Sequence, residues 1–401
     1  MASITRRTNK DGSFSYRVSW RVGDGERRQE TKAFDTHAAA RAHRTKMEKE
    51  VEQGRIGGER KISVFEYLDQ WIATKEADKK NPISPKTADG YRRNLGIAKR
   101  GLGKDRPLSQ LDKPHLDRAY DQLLIDGKLL RDGKTGPLTK QTVRHVHTVL
   151  HKALSDAFDD KLITENPASR AKAPRVQGKK YKTKVRAFTK DETLLLFDRA
   201  QDEICGADTF AMAATLAVTG LRRGELAALA DDAVDWDNNT ISVFRNVVCT
   251  DSNDVIVKGT KTDAGTAKLV VPAELIAVLR VQRTRVQKLA LKWGQGYSRD
   301  PLFLFPGPGG EVMHPRLITC RMDRLIKRAG IVPGDGKKIS PVHSWRHTTG
   351  TMLWQAFKDA KQIQGQLRQA DPAIGIALYV ENTVEAESAA ARHLGGLLRD
   401  R

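Results

Sequence analysis

The sequence predicts a multidomain protein, mainly α with small β: a three-stranded sheet with one helix, then a helical bundle, then a mixed α+β domain. Three observations carry this. The chain has 401 residues, more than one ordinary core accommodates, so two or three domains are expected. Hydrophobic residues make up 39%, enough for packed cores and too many for a disordered chain. The apolar period also changes along the chain, from two near the start to helical spacing after residue 62.

Residues 1–60 read as β then α. Asp11-Gly12 is a turn signal. After it, Phe14, Tyr16, Val18, Trp20 and Val22 alternate with Ser15, Arg17, Ser19 and Arg21, giving one apolar face and one polar, basic face. Gly23-Asp24-Gly25 turns the chain, and a third strand is predicted from Arg27 to Phe34. Asp35 or Thr36 can cap a helix that runs to about Gln53, where Gly54 stops it. The basic face is either a solvated surface or a sheet that enters a DNA groove, with Arg17 and Arg21 as its candidate contacts.

Residues 61–174 read as a helical bundle. Val64, Leu68, Trp71 and Ile72 recur at helical spacing, as do Leu116, Tyr120, Leu123 and Leu124, then Val143, Val146, Leu150 and Leu154. Pro82, Pro85, Pro107, Pro114 and Pro137 punctuate between them. Residues 175–186 read as an interdomain linker. From 171 to 186 there are many cations and no acidic residue. Lys179, Lys180, Lys182 and Lys184 are candidate phosphate contacts of the sequence-independent kind.

Residues 187–401 read as mixed. Helices are expected at Leu194–Ala200 and Thr209–Val218. Short strands are expected at Thr240–Val248, Asp254–Lys258 and Lys268–Val271, with helices afterwards.

The net charge is +21. A charge this far from neutral makes nucleic acid the first candidate partner. No apolar run approaches the roughly 20 residues that span a bilayer, and the N-terminus lacks the apolar core of a signal peptide. A cytoplasmic protein with no membrane partner is expected. Cys205, Cys249 and Cys320 are far apart and are expected as reduced, buried thiols rather than a disulfide framework or metal site. There is no Gly-x-x-x-x-Gly-Lys loop and no His-Glu-x-x-His. His343 and His347 have a spacing that suits zinc, but no third ligand is evident. No cofactor and no metal are expected.

A scattered basic set remains. Gly220 should end an apolar helix and place Arg222 at the start of the next, where a guanidinium and a helix N-terminus make an anion site. Glu225 is placed to hold Arg222 or to cap the helix. Lys258 to Thr262 lie between two expected strands, and a lysine at a hairpin tip there can reach DNA and donate a proton. His343 and Arg346 are three apart and share a helical face, so both can address one phosphate. Tyr379 sits in an apolar stretch near the end, where core packing is the ordinary reading.

Arg, Lys, His-x-x-Arg and Tyr in this order resemble the tyrosine recombinase (phage integrase) family. Thr219-Gly220-Leu221-Arg222-Arg223-Gly224-Glu225-Leu226 matches the family pattern Thr-Gly-Leu-Arg-x-x-Glu-Leu. Lys261-Thr262 and Val270-Val271-Pro272 fit the hairpin lysine and the strand that follows it. His343-Ser344-Trp345-Arg346-His347 matches the family's second box. Tyr379 follows Arg346 by 379 − 346 = 33 residues, near the family's spacing. The resemblance covers 187–401. More loosely, residues 1–60 resemble an arm-type DNA-binding domain and 61–174 a core-binding domain. One departure is clear: Gln369, in Leu367-Arg368-Gln369, stands where the family has histidine, and a neutral amide donates a hydrogen bond but carries no charge.

The resemblance implies a site-specific recombinase that integrates, and excises, a phage or mobile element. Arg222 and Arg346 would stabilise charge on the phosphate. Tyr379 would form a 3′-phosphotyrosyl link, Lys261 would protonate the leaving 5′-oxygen, and His343 would bond the phosphate or manage the tyrosine proton. Gln369 would contribute a hydrogen bond, with Glu225 and His347 in support. The implied partners are double-stranded attachment sites, a homotetramer on DNA, an excisionase and a host DNA-bending protein, in the nucleoid of a bacterial host. A type IB topoisomerase-like enzyme and a catalytically decayed DNA-binding regulator are the alternatives.

Overall fold

The computed structural model describes residues 3–8, 14–22, 28–52, 62–130, 132–176, 185–202, 206–259, 267–334 and 336–368. The chain divides into two compact units, Met1–Gln177 and Gly178–Arg401. That division falls inside the expected linker, whose Lys179, Lys180, Lys182 and Lys184 lie outside the described residues, as does the expected Asp11-Gly12 turn.

The first unit opens with an antiparallel sheet of β1 (Ser3–Thr8), β2 (Phe14–Val22) and β3 (Arg28–Phe34), followed by α1 (His37–Glu52). Thr36 caps α1 by accepting the Ala39 N–H at 3.3 Å. Val18 and Ala40 are fully buried, with Ile4, Tyr16 and Phe34 packed against them. The period-two reading therefore gives the face it should: Tyr16 and Val18 point at the helix, and Arg17 stands on the other side, paired in register with Thr5 and Ala33. Arg21 lies on β2 in register with Gln29.

The same unit continues as a bundle of α2 (Val64–Ala77), α3 (Pro85–Leu102), α4 (Lys113–Asp126) and α5 (Lys140–Asp159), with a two-residue pairing of β4 (Lys128–Leu129) and β5 (Thr135–Gly136) between the last two. Each helix starts on a hydroxyl or carboxylate. Ser63, Ser84, Asp112 and Thr139 accept the N–H groups of Glu66, Thr87, His115 and Thr142, satisfying donors that the first turn leaves unpaired. The core holds the residues picked out by spacing, including Leu68, Trp71, Leu116, Tyr120, Leu123, Val146, Leu150 and Leu154. Polar tips in that core are bonded: Trp71 Nε1 donates to Asp156 Oδ2 at 2.6 Å, and the Tyr67 hydroxyl to the Ala153 carbonyl at 2.7 Å.

The second unit contains α6 (Lys190–Ala200), α7 (Thr209–Thr219), α8 (Arg223–Ala227), β6 (Val234–Asp235), β7 (Thr240–Val243), β8 (Arg245–Cys249), β9 (Val255–Gly259), β10 (Ala267–Val270), α9 (Ala273–Trp293), α10 (Pro315–Arg328), α11 (His343–Phe357) and α12 (Ala360–Leu367). Two expectations are corrected here. The single strand expected over Thr240–Val248 is two, in different sheets: β7 pairs with β6 and β10, while β8 pairs with β9. The chain switches sheets at Phe244, where Arg245 stacks over the ring at 4.4 Å and its guanidinium pairs with Asp232. The strands flanking Lys261 therefore do not form a hairpin with each other among the described residues. Two of the cysteines are also less buried than expected: Cys249 is partly exposed and Cys320 is exposed, while Cys205 lies outside the described residues.

Trp345 anchors the core of this unit. It is fully buried, stacked on Phe197 at 5.9 Å and edge-on to Phe188 at 5.1 Å. The Phe188 N–H donates to Thr348 Oγ1 at 2.8 Å. These contacts fix the rotation of α11 and, with it, the direction of the neighbouring Arg346. No described helix is long and apolar enough to cross a membrane.

Candidate active site

Gly220 ends α7 in the left-handed region, φ 59°, and donates its N–H to the Leu216 carbonyl. A side chain there would meet Leu367 Cδ2 at 2.5 Å, so both the backbone angle and the space favour glycine. Two residues on, Arg222 takes the N-cap of α8 in extended backbone. Its N–H donates to Glu225 Oε2 at 2.8 Å and its Nη1 to Glu225 Oε1 at 2.8 Å. One carboxylate thereby holds Arg222 both by its main-chain N–H and by one end of its fork, as the spacing suggested. Gly224 lets this turn lie against β8, because a Cβ there would run into the Asn246 side chain and the Val247 carbonyl.

Arg346 arrives from the first turns of α11 and is buried. Its Nη1 donates to the Gly220 carbonyl at 2.6 Å, and its Nη2 to the Leu367 carbonyl at the end of α12. Thr349, on the same helix face, donates to the Ala217 carbonyl at 2.9 Å. Helix α11 thus sits on the end of α7. The turn after α12 closes the arrangement: the Arg368 carbonyl accepts from Arg222 Nη2 at 3.3 Å, and Arg368 Nη2 donates to Glu225 Oε2 at 2.6 Å.

Burial pushes the Glu225 carboxyl up, but Arg368 and Arg222 beside it hold the group below the usual carboxylate range. Two guanidiniums on one carboxylate keep it ionised at neutral pH. His343 opens α11 and is exposed. Partial burial and the charges of Arg346, Arg222 and Arg223 lower its pKa, so its imidazole is neutral near pH 7. His347 lies with its ring centroid 6.3 Å from that of His343. Burial, then His343, Arg346 and Lys337, push its pKa down to about 4.

The structure brings together Arg222, Glu225, His343, Arg346 and His347. Lys261, Gln369 and Tyr379 lie outside the described residues. Among the described residues no group of three or more His, Cys, Asp or Glu could hold a metal ion. Sequence reasoning passed over Arg368, since nothing in its neighbours marks it. Its place appears only once α12 is docked against α8.

Residues 186–385 match the family model described as the phage integrase family, a segment that holds the whole of this arrangement. The chain belongs to the phage integrase family. The chain is similar to the XerC-like tyrosine recombinase of Caldanaerobacter subterraneus subsp. tengcongensis, 21% identical over 98% of this chain and all of that one. Among solved structures, the Tn1549 transposon integrase in complex with transposon right end DNA has a TM-score of 0.63 at 20% identity, covering 82% of this chain and 99% of that one. A lambda integrase tetramer bound to a Holliday junction has a TM-score of 0.54 at 14% identity, covering 94% of each. At these identities the structures establish the fold that the family shares, and this chain has it.

Proposed function

We propose that this protein is a tyrosine-type site-specific DNA recombinase, an integrase, that cuts and rejoins DNA through a 3′-phosphotyrosyl intermediate. The observation that carries the reading is the convergence of Arg222 and Arg346 on one turn, inside the family segment. Two cations held in fixed positions are what an in-line displacement at phosphorus needs, because negative charge grows on the non-bridging oxygens as the nucleophile adds. Arg222 is suited to that task. Its side chain is 45% exposed, and the donors bonded to Glu225 and Arg368 are two of its five.

In this reading Tyr379 loses its proton and its oxygen bonds to phosphorus, while the bond to the 5′-oxygen breaks. Lys261 supplies the proton that the 5′-oxygen takes up. His343, neutral near pH 7, accepts or returns the tyrosine proton, or donates a hydrogen bond to the phosphate. Gln369 adds a hydrogen bond without charge. The phosphotyrosyl ester keeps the energy of the broken linkage, so a 5′-hydroxyl from a second duplex can attack it without ATP.

Residues 1–60 are assigned to arm-type sites, with Arg17 and Arg21 on the sheet face that meets DNA. Residues 61–174 are assigned to the core site, 187–401 to catalysis, and 175–186 to a linker whose lysines follow the phosphates. Four protomers would join two double-stranded attachment sites, an arrangement like the tetramer solved for lambda integrase. An excisionase and a host DNA-bending protein would set direction, in the nucleoid of a bacterial cytoplasm.

The test is a duplex nicked within the attachment core, which traps covalent protein if the tyrosine acts. The unchanged protein should accumulate a phosphotyrosyl complex. Tyr379→Phe, which removes only a hydroxyl, should bind the duplex and form none. A covalent complex with the Phe variant would move the nucleophile elsewhere. Relaxation of plasmid lacking any attachment site, with no recombinants from paired sites, would make the protein a topoisomerase.

A further inference from the structure

Arg368 lies just past α12 in the left-handed region, φ 51°, a conformation that favours glycine. The chain places a long cation there and buries it: the side chain is 0% exposed, and its carboxylate partner Glu225 is 5% exposed. Glu225 Oε2 accepts from both Arg368 Nη2 and the Arg222 N–H, while Oε1 takes Arg222 Nη1. Arg368 therefore reaches the start of α8 in two ways. Its side chain holds the carboxylate that holds Arg222, and its carbonyl holds Arg222 Nη2 directly. The preceding carbonyl, of Leu367, holds Arg346.

We propose that Arg368 is a positioning residue of the active site: its buried guanidinium fixes Glu225, and through Glu225 the fork of Arg222 on the scissile phosphate. The proposal rests on the recombinase reading of Arg222. Arg368 itself does not touch DNA, since its side chain is enclosed and turned onto Glu225. A buried carboxylate that loses one of two cations is left partly uncompensated, and the uncompensated charge costs more than the pair contributed. Glu225 would then protonate or rotate, and the Arg222 fork would lose its Nη1 anchor and keep only the Arg368 carbonyl at Nη2. Because Leu367 and Arg368 are consecutive, one seated turn sets both arginines.

Among the described residues, the charged groups to weigh around Glu225 come from four elements. Arg222 and Arg223 belong to its own turn, and Arg368 comes from the end of α12. Arg245 lines the same small pocket while paired with Asp232, and Arg346 and His343 come from α11. Of these, Arg368 and Arg222 hold the carboxyl down against burial. Without Arg368, burial gains ground and the carboxyl takes up a proton at higher pH.

The experiment is single-turnover cleavage of the nicked attachment-core duplex by full-length protein at saturating DNA, from pH 5 to 8. Arg368→Met should slow cleavage between about 10- and 100-fold, the scale for a small misplacement of a reacting group, with DNA affinity unchanged. The deficit should deepen as pH falls. Arg368→Lys should recover most of the rate. In a Glu225→Gln background, Arg368→Met should add nothing, and the acid limb should disappear. A residue that only supports the fold would lower the melting temperature and leave the saturating rate and its pH profile alone. Unchanged rate and profile in Arg368→Met overturn the proposal.

If the unchanged protein forms no covalent complex, the recombinase reading falls and the proposal for Arg368 falls with it. Melting of the full chain then tests the pair alone. The gap between the unchanged protein and Arg368→Met should be widest near neutrality, narrow as pH falls, and close in the Glu225→Gln background. A gap independent of pH and of Glu225 shows that no such pair forms.

Discussion

Arg346 and Arg222 are held by consecutive carbonyls: Arg346 Nη2 by that of Leu367, and Arg222 Nη2 by that of Arg368. Each arginine keeps a second anchor on α7 or α8, the Gly220 carbonyl for Arg346 and Glu225 for Arg222. The two charges that the proposed chemistry uses are thus both tied to main-chain atoms of one turn.

This geometry predicts that lysine cannot replace Arg346. A guanidinium spans two carbonyls with a planar fork, whereas an ammonium is a point on a flexible stem. Arg346→Lys should therefore cleave a nicked site about as poorly as Arg346→Ala, with both down by roughly 10²-fold or more, the scale for losing one oxyanion donor. Arg222→Ala should fall in the same range. A lysine variant within a few-fold of the unchanged protein would show that only charge matters at 346. Chelators should leave all these rates unchanged, since no step is assigned to a metal.

Gly224→Ala should destabilise the second unit by about 1–3 kcal/mol, the usual cost of forcing a methyl into a packed place. The obstacle is the Val247 carbonyl as well as the Asn246 side chain, and a strand backbone does not step aside. Calorimetry of the full chain should show one transition lowered and the other unmoved. Equal transitions would mean that α8 and β8 separate at little cost.

Acid should weaken the fold through His347, and the sign follows from its burial. In the unfolded chain this histidine takes a proton near pH 6.5, but in the folded protein only at about 4. Between those values the unfolded state binds more protons, so its share of stability is complete above pH 6.5 and lost as pH falls toward 4. The loss is up to about 3 kcal/mol at 1.36 kcal/mol per unit. Glu225 adds a loss in the same direction, below the ordinary carboxylate range. His347→Gln should flatten denaturant-unfolding curves between pH 6.5 and 4. If the variant loses stability over that window as steeply as the unchanged protein, the histidine is not buried as described.

Gln369 should behave as a hydrogen-bond donor without charge. If it faces the phosphate, Gln369→Ala should lose about 1–3 kcal/mol of transition-state binding, and Gln369→His should be tolerated. Cleavage of a nicked site by the three forms decides it. Equal rates for glutamine and alanine would leave Arg222, Lys261, His343, Arg346 and Tyr379 as the working set.

Local pattern was enough for much of this protein. The alternation from Phe14 to Val22 gave a strand with Val18 inward, and the spacing of Leu68, Leu116, Tyr120, Leu150 and Leu154 gave the bundle and its core. These readings succeed because burying one face of a helix or strand depends on neighbours two to four residues away. That Arg222, His343 and Arg346 belong to one site was equally legible, because the short motifs that hold them resemble those of the family. The tertiary structure alone decided the rest. Past Phe244 the chain leaves the sheet of β7, and β8 lies against α8 where Gly224 makes room for it, a contact made across the fold. The anchors of Arg346 are carbonyls of residues far away in sequence, and carbonyls are the same in every residue, so no side-chain pattern announces them. Arg368 is the sharpest case. Beside Gln369 it reads as one more surface cation on a chain of net charge +21, and only the docking of α12 turns it inward to meet Glu225.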